Sequence, residues 1–418
     1  MLNNQQIDSI ITGAFDNWKI YDKRVLFIIP DNSRTAPIDR IFRIVYDKLK
    51  DRALTIDFLI ALGTHPPLTE EQICRRVDIT PNERHQHFSK ARFFNHHWKD
   101  PEHLITIGTL SETEVAELSE GHLSNAVPVT INRLIKHYDM LVIIGPIFPH
   151  EVAGFSGGNK YFFPGISGPE IIDLFHWLGA LITNQKIIGQ KYTPVRAVID
   201  AAARLIPAER RCIALVVKPD GLAGMFAGTP EEAWSQAADL SAKEHVIYVD
   251  KPFRKVLARA PEMYDDLWTG GKCMYKLEPV VADGGELIIY APHITEVSVT
   301  HGEIIERIGY HVRDFFTKQW DKYKDFPGGI LAHSTHVKGS GEFVDGIEKQ
   351  RINVTLATGI PEDVCRKINL GYLDPDSINI DEWENRDGVL YVEKAGEILH
   401  KLKESNLKNN TEGGLCKS

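Results

Sequence analysis

Residues 149–165 read PHEVAGFSGGNKYFFPG and set one imidazole, His150, and one amine, Lys160, on either side of a loop of small residues. Gly154, Gly157 and Gly158, with Ser156, make a backbone that can take positive φ and come close to a ligand. Loops of this kind often bind phosphate through their amides. The GxxxxGK[ST] spacing of a P-loop is absent, so Lys160 is not a Walker lysine. The plainer alternative is a tight turn followed by a solvated lysine.

Other residues of the right types lie close in sequence. His65 closes the run IALGTH, and His150 follows IIGPIFP. Imidazole titrates near neutrality and is the usual proton shuttle. Two histidines at corresponding strand ends, with a third histidine and a lysine nearby, make a candidate acid–base pair. The third is His176, in SGPEIIDLFHWLGALI. There Ile171, Leu174, Phe175, Leu178 and Ile182 form one stripe at helical spacing, and His176 falls about 140° from Ile171. It is therefore either solvated or turned into a site. PDNSRTAP places Asp31, Ser33 and Arg34 directly after an apolar run. Arginine grips a carboxylate or phosphate through its planar fork, and the alternative is an Asx-turn beside a surface arginine. The clusters ERHQHF and NHHW read as solvated, and AHSTHVKG (332–339) is a weaker candidate.

These residues need elements to position them. RVLFIIP, DFLIALGTH and DMLVIIGPI read as buried strands, and PIDRIFRIVYDKLKDR and LTEEQICRRV as the helices that follow the first two. In open α/β sheets, ligands sit beyond the carboxyl ends of the strands. That directs attention to DNSR, THPP and PHEVAGFSGGNK. VIYV, KVLARA, GELIIYAP and INVTLATG read as strands of a second region. The expectation is an α/β chain with parallel or mixed sheets flanked by helices and its active site in an interdomain cleft. An N-terminal domain would span 1–250, a C-terminal domain 251–395, and a helical end and polar tail 396–418.

Bulk properties narrow the classes. A chain of 418 residues is long for one core. A formal charge of −9 argues against a nucleic-acid protein. The apolar runs have strand length and fall far short of a membrane span, and the N-terminus has no basic n-region. Five cysteines without a CxxC spacing argue against a disulfide framework or zinc knuckle. A cytoplasmic protein is expected.

In order, DxSR, GTHxxxTEE, PHxxAGFSGGxK, PG and a following histidine resemble the lactate racemase family. The resemblance is densest from 31 to 176 and weaker at DLWTGGKCMYKLEPVVADGGELII. It implies a racemase or epimerase of a small 2-hydroxy acid, working by hydride transfer to a nickel-pincer nucleotide. In that family the pyridinium mononucleotide clamps nickel with two sulfur-bearing arms, one of them joined to a lysine. Lys160 occupies the lysine's place, and His176 that of the remaining nickel ligand. His65 and His150 match two histidines that exchange the hydroxyl proton from opposite faces. Asp31, Asn32, Ser33 and Arg34, with Gly157 and Gly158, match cofactor contacts. Arg34, Trp268, Thr269 and Lys272 match substrate contacts, Lys272 being the carboxylate lysine.

The resemblance further implies cofactor biosynthesis and insertion proteins as partners, and a homo-oligomer is an open expectation. Two departures fall on substrate contacts. Trp268 and Thr269 stand where tyrosine and glutamine precede the lysine, and Pro66 stands where arginine is common. A non-catalytic carrier of the same nucleotide is the alternative reading. A zinc hydrolase is less favoured, because no HExxH pair is present.

Overall fold

Strands buried on both faces need consecutive apolar residues, and RVLFIIP and MLVIIGP supply them. In the computed structural model, which describes residues 1–384 and 386–403, Arg24–Pro30 and Met140–Pro146 are neighbouring parallel strands. The chain divides into two units. The first takes in 1–148, 155–178 and 191–244, and the second 149–154, 179–190 and 245–418.

The first unit carries a six-stranded sheet. Its order is Gly221–Gly228, Glu209–Lys218, Met140–Pro146, Arg24–Pro30, Thr55–Ala61 and Ala91–Asn95. Only the pairing of Gly221–Gly228 with Glu209–Lys218 is antiparallel. Helix Asn4–Trp18 begins with an Asn3 capping box, and helix Ile38–Leu49 turns Ile41, Phe42, Val45 and Leu49 inward. Their apolar faces pack with Phe27, Phe58, Val142 and Leu215 of the sheet into one core. The helix after Thr55–Ala61 starts at Glu70 behind a second capping box, Thr69 with Gln72.

The second unit is built on a five-stranded sheet in the order Gly371–Tyr372, Asn353–Thr358, Val281–Ala291, Phe253–Arg259 and Val389–Val392. All its pairings are parallel. The α/β reading holds, with mostly parallel sheets flanked by helices.

Two local expectations are corrected. Sequence predicts a helix opening the segment from 396, yet Leu399–Leu402 is a strand parallel to Val246–Val249. Four residues are too few to sustain a helix alone, and tertiary pairing that buries Leu399 and His400 decides the matter. The polar tail from 404 lies outside the described residues.

His96, read from NHHW as solvated, is 1% exposed. Its Nε2 donates to the Ser167 carbonyl at 2.9 Å, and its Nδ1 accepts from Asn132 Nδ2 at 3.1 Å. Burial pulls its pKa down to about 4. The folded value lies below the unfolded one near 6.5, so the unfolded chain binds the extra proton between those values. Stability is therefore lost as pH falls from 6.5 to 4, by about 3 kcal/mol at the 1.36 kcal/mol of one pKa unit. Urea titrations across that window check this, and His96→Gln should flatten the slope.

No helix among the described residues is long and apolar enough to cross a membrane. Cys74, Cys212, Cys273 and Cys365 are buried free thiols.

Candidate functional site

Strand order places the first group. From Arg24–Pro30 the chain runs outward through Thr55–Ala61 to Ala91–Asn95 and then returns to Met140–Pro146 on the other side of Arg24–Pro30, so the strand order reverses there. That is a topological switch point, and because the strands are parallel their carboxyl ends share one edge of the sheet. Asp31 follows one of them immediately, and His65 follows the next after a turn. Gly63 forms that turn with φ +57°, and the His65 amide closes it on the Leu62 carbonyl at 2.9 Å.

The structure brings these two side chains together. His65 Nδ1 lies 2.5 Å from Asp31 Oδ2. The amide and hydroxyl of Ser33 donate to Asp31 Oδ1 at 3.1 and 2.7 Å, which fixes the carboxylate. Asp31 is buried, while His65 keeps part of its surface open. An ionised carboxylate only accepts, so Nδ1 of His65 carries the proton and Nε2 keeps the lone pair. His65 is thereby held as a proton acceptor whose charged form has a carboxylate behind it. Asp31, read from the sequence as a cofactor contact, directs both oxygens to Ser33 and His65.

Positive charge gathers on the same edge. Arg76 Nε donates to the Pro30 carbonyl at 3.3 Å. Burial raises the Tyr161 phenol above the usual tyrosine range, while Arg34 and Arg76 act to lower it and Asp31 adds to the rise. Asn32 is exposed and Arg34 half-buried.

Lys160 lies in the 3₁₀ turn Gly158–Tyr161 and is half-buried. Gly157 and Gly158 have φ of +79° and +57°. A Cβ on Gly157 would collide with Ile147, and one on Gly158 would lie 2.8 Å from the Trp234 Cβ. Positive φ and close packing on those two residues both call for glycine here.

The loop is gripped by a residue that the motif does not contain. Arg196 donates to the carbonyls of Phe155 at 2.6 Å and Gly157 at 3.2 Å. Its guanidinium lies 4.2 Å from the Trp234 ring centroid, and Trp234 Nε1 donates to the Ser156 carbonyl at 3.0 Å. Asn159 is held by Asp200, Glu231 and Arg210 at 2.8–2.9 Å. Burial draws the Arg196 pKa down to about 10, still protonated at neutral pH. An arginine amid Val195, Val198 and Ile199 on a helix was the available sequence signal. Arg196→Ala should cost about 1–3 kcal/mol for each carbonyl left unmet. Denaturant unfolding measures the cost, and loss of less than 1 kcal/mol would contradict the clamp.

His176 projects from the helix Pro169–Ile182 and is half-buried, as its place off the apolar stripe predicts. Its Nδ1 is 2.6 Å from the Ile172 carbonyl. A carbonyl cannot donate, so the proton sits on Nδ1 and the lone pair on Nε2, the form a metal ligand needs. Among the described residues no group of three or more His, Cys, Asp or Glu side chains is placed to hold a metal. One imidazole donor from the chain fits a metal whose other ligands belong to a cofactor.

The remaining predicted residues belong to the second unit. His150 is buried there, and its Nδ1 accepts from the Val152 amide at 3.1 Å. Trp268 stacks on His333 with centroids 4.1 Å apart and planes 8° apart, and meets His301 at 4.4 Å. His333 Nε2 also donates to the Trp268 carbonyl at 3.1 Å. The Thr269 hydroxyl turns back to Asp266, which caps the short helix Leu267–Gly270. Lys272 is buried with its ammonium 4.6 Å from the Tyr264 ring centroid. His333 and His336 lie on the buried helix Gly328–Lys338. Burial lowers the His333 pKa to about 3, so it packs as a neutral ring. The role of His301 and His333 in bracing Trp268 was missed because their spacing shows no partner 30 to 65 residues away.

Residues 8–189 match the family model described as the lactate racemase N-terminal domain. A lactate racemase of Thermoanaerobacterium thermosaccharolyticum is 30% identical over 154 residues, 36% of this chain and 31% of that protein. One from Lactiplantibacillus plantarum is 28% identical over 166 residues, 39% of this chain and 34% of that protein. The match thus spans about a third of each curated relative's length. A crystal structure of a Thermotoga maritima protein is similar over 96% of this chain and 99% of its own, with TM-score 0.89 and 33% identity. The lactate racemase apoprotein structure from T. thermosaccharolyticum covers 94% of this chain and 93% of its own, with TM-score 0.70. At 19% identity, that likeness speaks for the fold alone.

Proposed function

Because the chain belongs to the lactate racemase family, we propose that it inverts a small 2-hydroxy acid at its carbon, as a racemase or epimerase. The observation that carries this reading is the 2.5 Å pairing of His65 with Asp31, which fixes a base with its lone pair on Nε2. Loss of the carbon-bound hydrogen as a proton would leave a carbanion beside the carboxylate, a dianion. Loss as a hydride leaves a neutral ketone, provided that a base takes the hydroxyl proton. A nickel-pincer nucleotide, tethered through Lys160 and ligated by His176, would supply storage and return of the hydride when bound.

The chain's own residues do the rest. His65 accepts the hydroxyl proton at Nε2, and Asp31 stabilises the resulting imidazolium through Nδ1–H. His150 serves the opposite face, so each turnover starts on one histidine and ends on the other. Lys272 and Arg34 hold the substrate carboxylate, and Trp268 and Thr269 shape the space for its side chain. Asn32, Ser33, Gly157 and Gly158 contact the nucleotide. Proteins that build and insert the nucleotide would be its partners, in the cytoplasm.

A carrier of the same nucleotide would need Lys160 and His176 but has no task for a carboxylate-backed histidine. The test is an exchange screen. Protein co-expressed with the cofactor pathway is incubated with a panel of 2-hydroxy acids, and inversion is read for each. Inversion of at least one is expected, and a loaded protein that inverts none favours the carrier. His176→Ala should lower nickel stoichiometry in loaded protein by at least tenfold while the circular dichroism spectrum stays unchanged. Unchanged nickel would remove the ligand assignment.

A further inference from the structure

The two histidines sit in different proton states. His65 has a carboxylate on Nδ1, which puts its lone pair on Nε2. His150 accepts the Val152 amide on Nδ1, so its neutral ring carries the proton on Nε2. A ring in that tautomer has no lone pair at Nε2 and cannot take a proton there. To act as a base through Nε2, His150 must move its proton to Nδ1. Nδ1 then needs an acceptor, and a backbone N–H cannot be one.

An acceptor is already in place. Glu151 Oε2 lies 3.4 Å from His150 Nδ1, with both side chains largely buried. The gap is longer than a charge-assisted hydrogen bond of about 2.8 Å, so the two groups must draw closer for Nδ1–H to donate fully. The two residues that follow His150 thus offer its Nδ1 either an acceptor, Glu151, or a donor, Val152.

We propose that Glu151 is a positioning residue for His150, accepting the Nδ1 proton whenever His150 works as a base. The inference rests on the reading of His150 as the second base. When the substrate O–H bond breaks, its proton forms the Nε2–H bond of His150, and the Nδ1–H of the imidazolium is held by Glu151. In the opposite direction the Nε2 proton returns to oxygen. Glu151 does for His150 what Asp31 does for His65, with one difference. Asp31 is locked by Ser33 and always in contact, whereas Glu151 competes with the Val152 amide. The Glu151 charge also acts on Tyr275 and His333, so an isosteric variant belongs in the test.

The experiment compares wild type, Glu151→Gln and Glu151→Ala, with His150→Asn as the assignment control. Imidazole ¹⁵N spectra of the cofactor-free protein report which ring nitrogen of His150 carries the proton. Wild type should show a population with Nδ1–H. That population should shrink in Glu151→Gln and vanish in Glu151→Ala. In loaded protein, the half-turnover with one enantiomer should slow by about 10²-fold in Glu151→Ala. The other enantiomer's half-turnover should stay within about twofold, a split that a loss of folding would not produce. Unchanged tautomer populations and half-turnover rates in both variants overturn the proposal, provided that His150→Asn abolishes one half-turnover. If His150→Asn leaves both half-turnovers intact, the second-base reading itself falls, and the proposal with it.

Discussion

Lys160→Ala, co-expressed with the cofactor pathway, should appear in intact mass spectra at the bare mass of its chain, whereas wild type carries an adduct. Racemisation should fall below detection at the same time. The motive is the place of Lys160 in the turn Gly158–Tyr161, directly after the two left-handed glycines. The backbone there is held by Arg196, Trp234 and Asn159. The substitution should therefore remove the amine and leave the loop standing. Tm should change little, since a half-exposed lysine makes a small contribution to stability. Lys160→Arg separates charge from nucleophile. It keeps the cation and offers no amine able to form the same bond, so it should also run at bare mass. An adduct that survives Lys160→Ala would place the tether elsewhere.

The second large effect concerns the two bases. His65→Ala and His150→Ala should each lower kcat for racemisation by about 10²–10⁴-fold, the usual contribution of a positioned acid–base group. Both directions should suffer, because every turnover uses both histidines. Half-turnovers should separate the two. With His65 absent, one enantiomer of a confirmed substrate should still give the single-turnover absorbance change, and the other should give none. With His150 absent, the preference should reverse. Asp31→Asn should resemble His65→Ala in its enantiomer preference, because an amide can turn its NH₂ toward Nδ1 and favour the wrong tautomer. Identical preference in the two histidine variants would defeat the two-face assignment while leaving the cofactor assignment untouched.

Much of the fold was legible in the sequence. Consecutive apolar residues flanked by turns marked Arg24–Pro30, Thr55–Ala61 and Met140–Pro146, and periodicity marked Ile38–Leu49 and Pro169–Ile182. These patterns are local consequences of burying two faces of a strand or one stripe of a helix. The same periodicity put His176 off the apolar stripe, and its half-buried position agrees. Composition misled at His96 and at Leu399–Leu402. In both, a partner distant in sequence decides the outcome: Ser167 and Asn132 for the imidazole, Val246–Val249 for the strand.

Residue types, their order and most of the single strands and helices they build were thus decided by sequence alone, because spacing within one element is a local property. Which histidine holds its proton on which nitrogen was decided only by the tertiary structure. Asp31 and His65 are 34 residues apart, and nothing in either segment reveals a 2.5 Å contact until parallel strands bring their carboxyl ends to one edge. The bond of His176 to the Ile172 carbonyl depends on a helical turn and a rotamer, and the grip of Arg196 on the glycine loop on packing across some 40 residues. A proton's position on imidazole follows from whether its neighbour donates or accepts, and that neighbour is chosen by the fold.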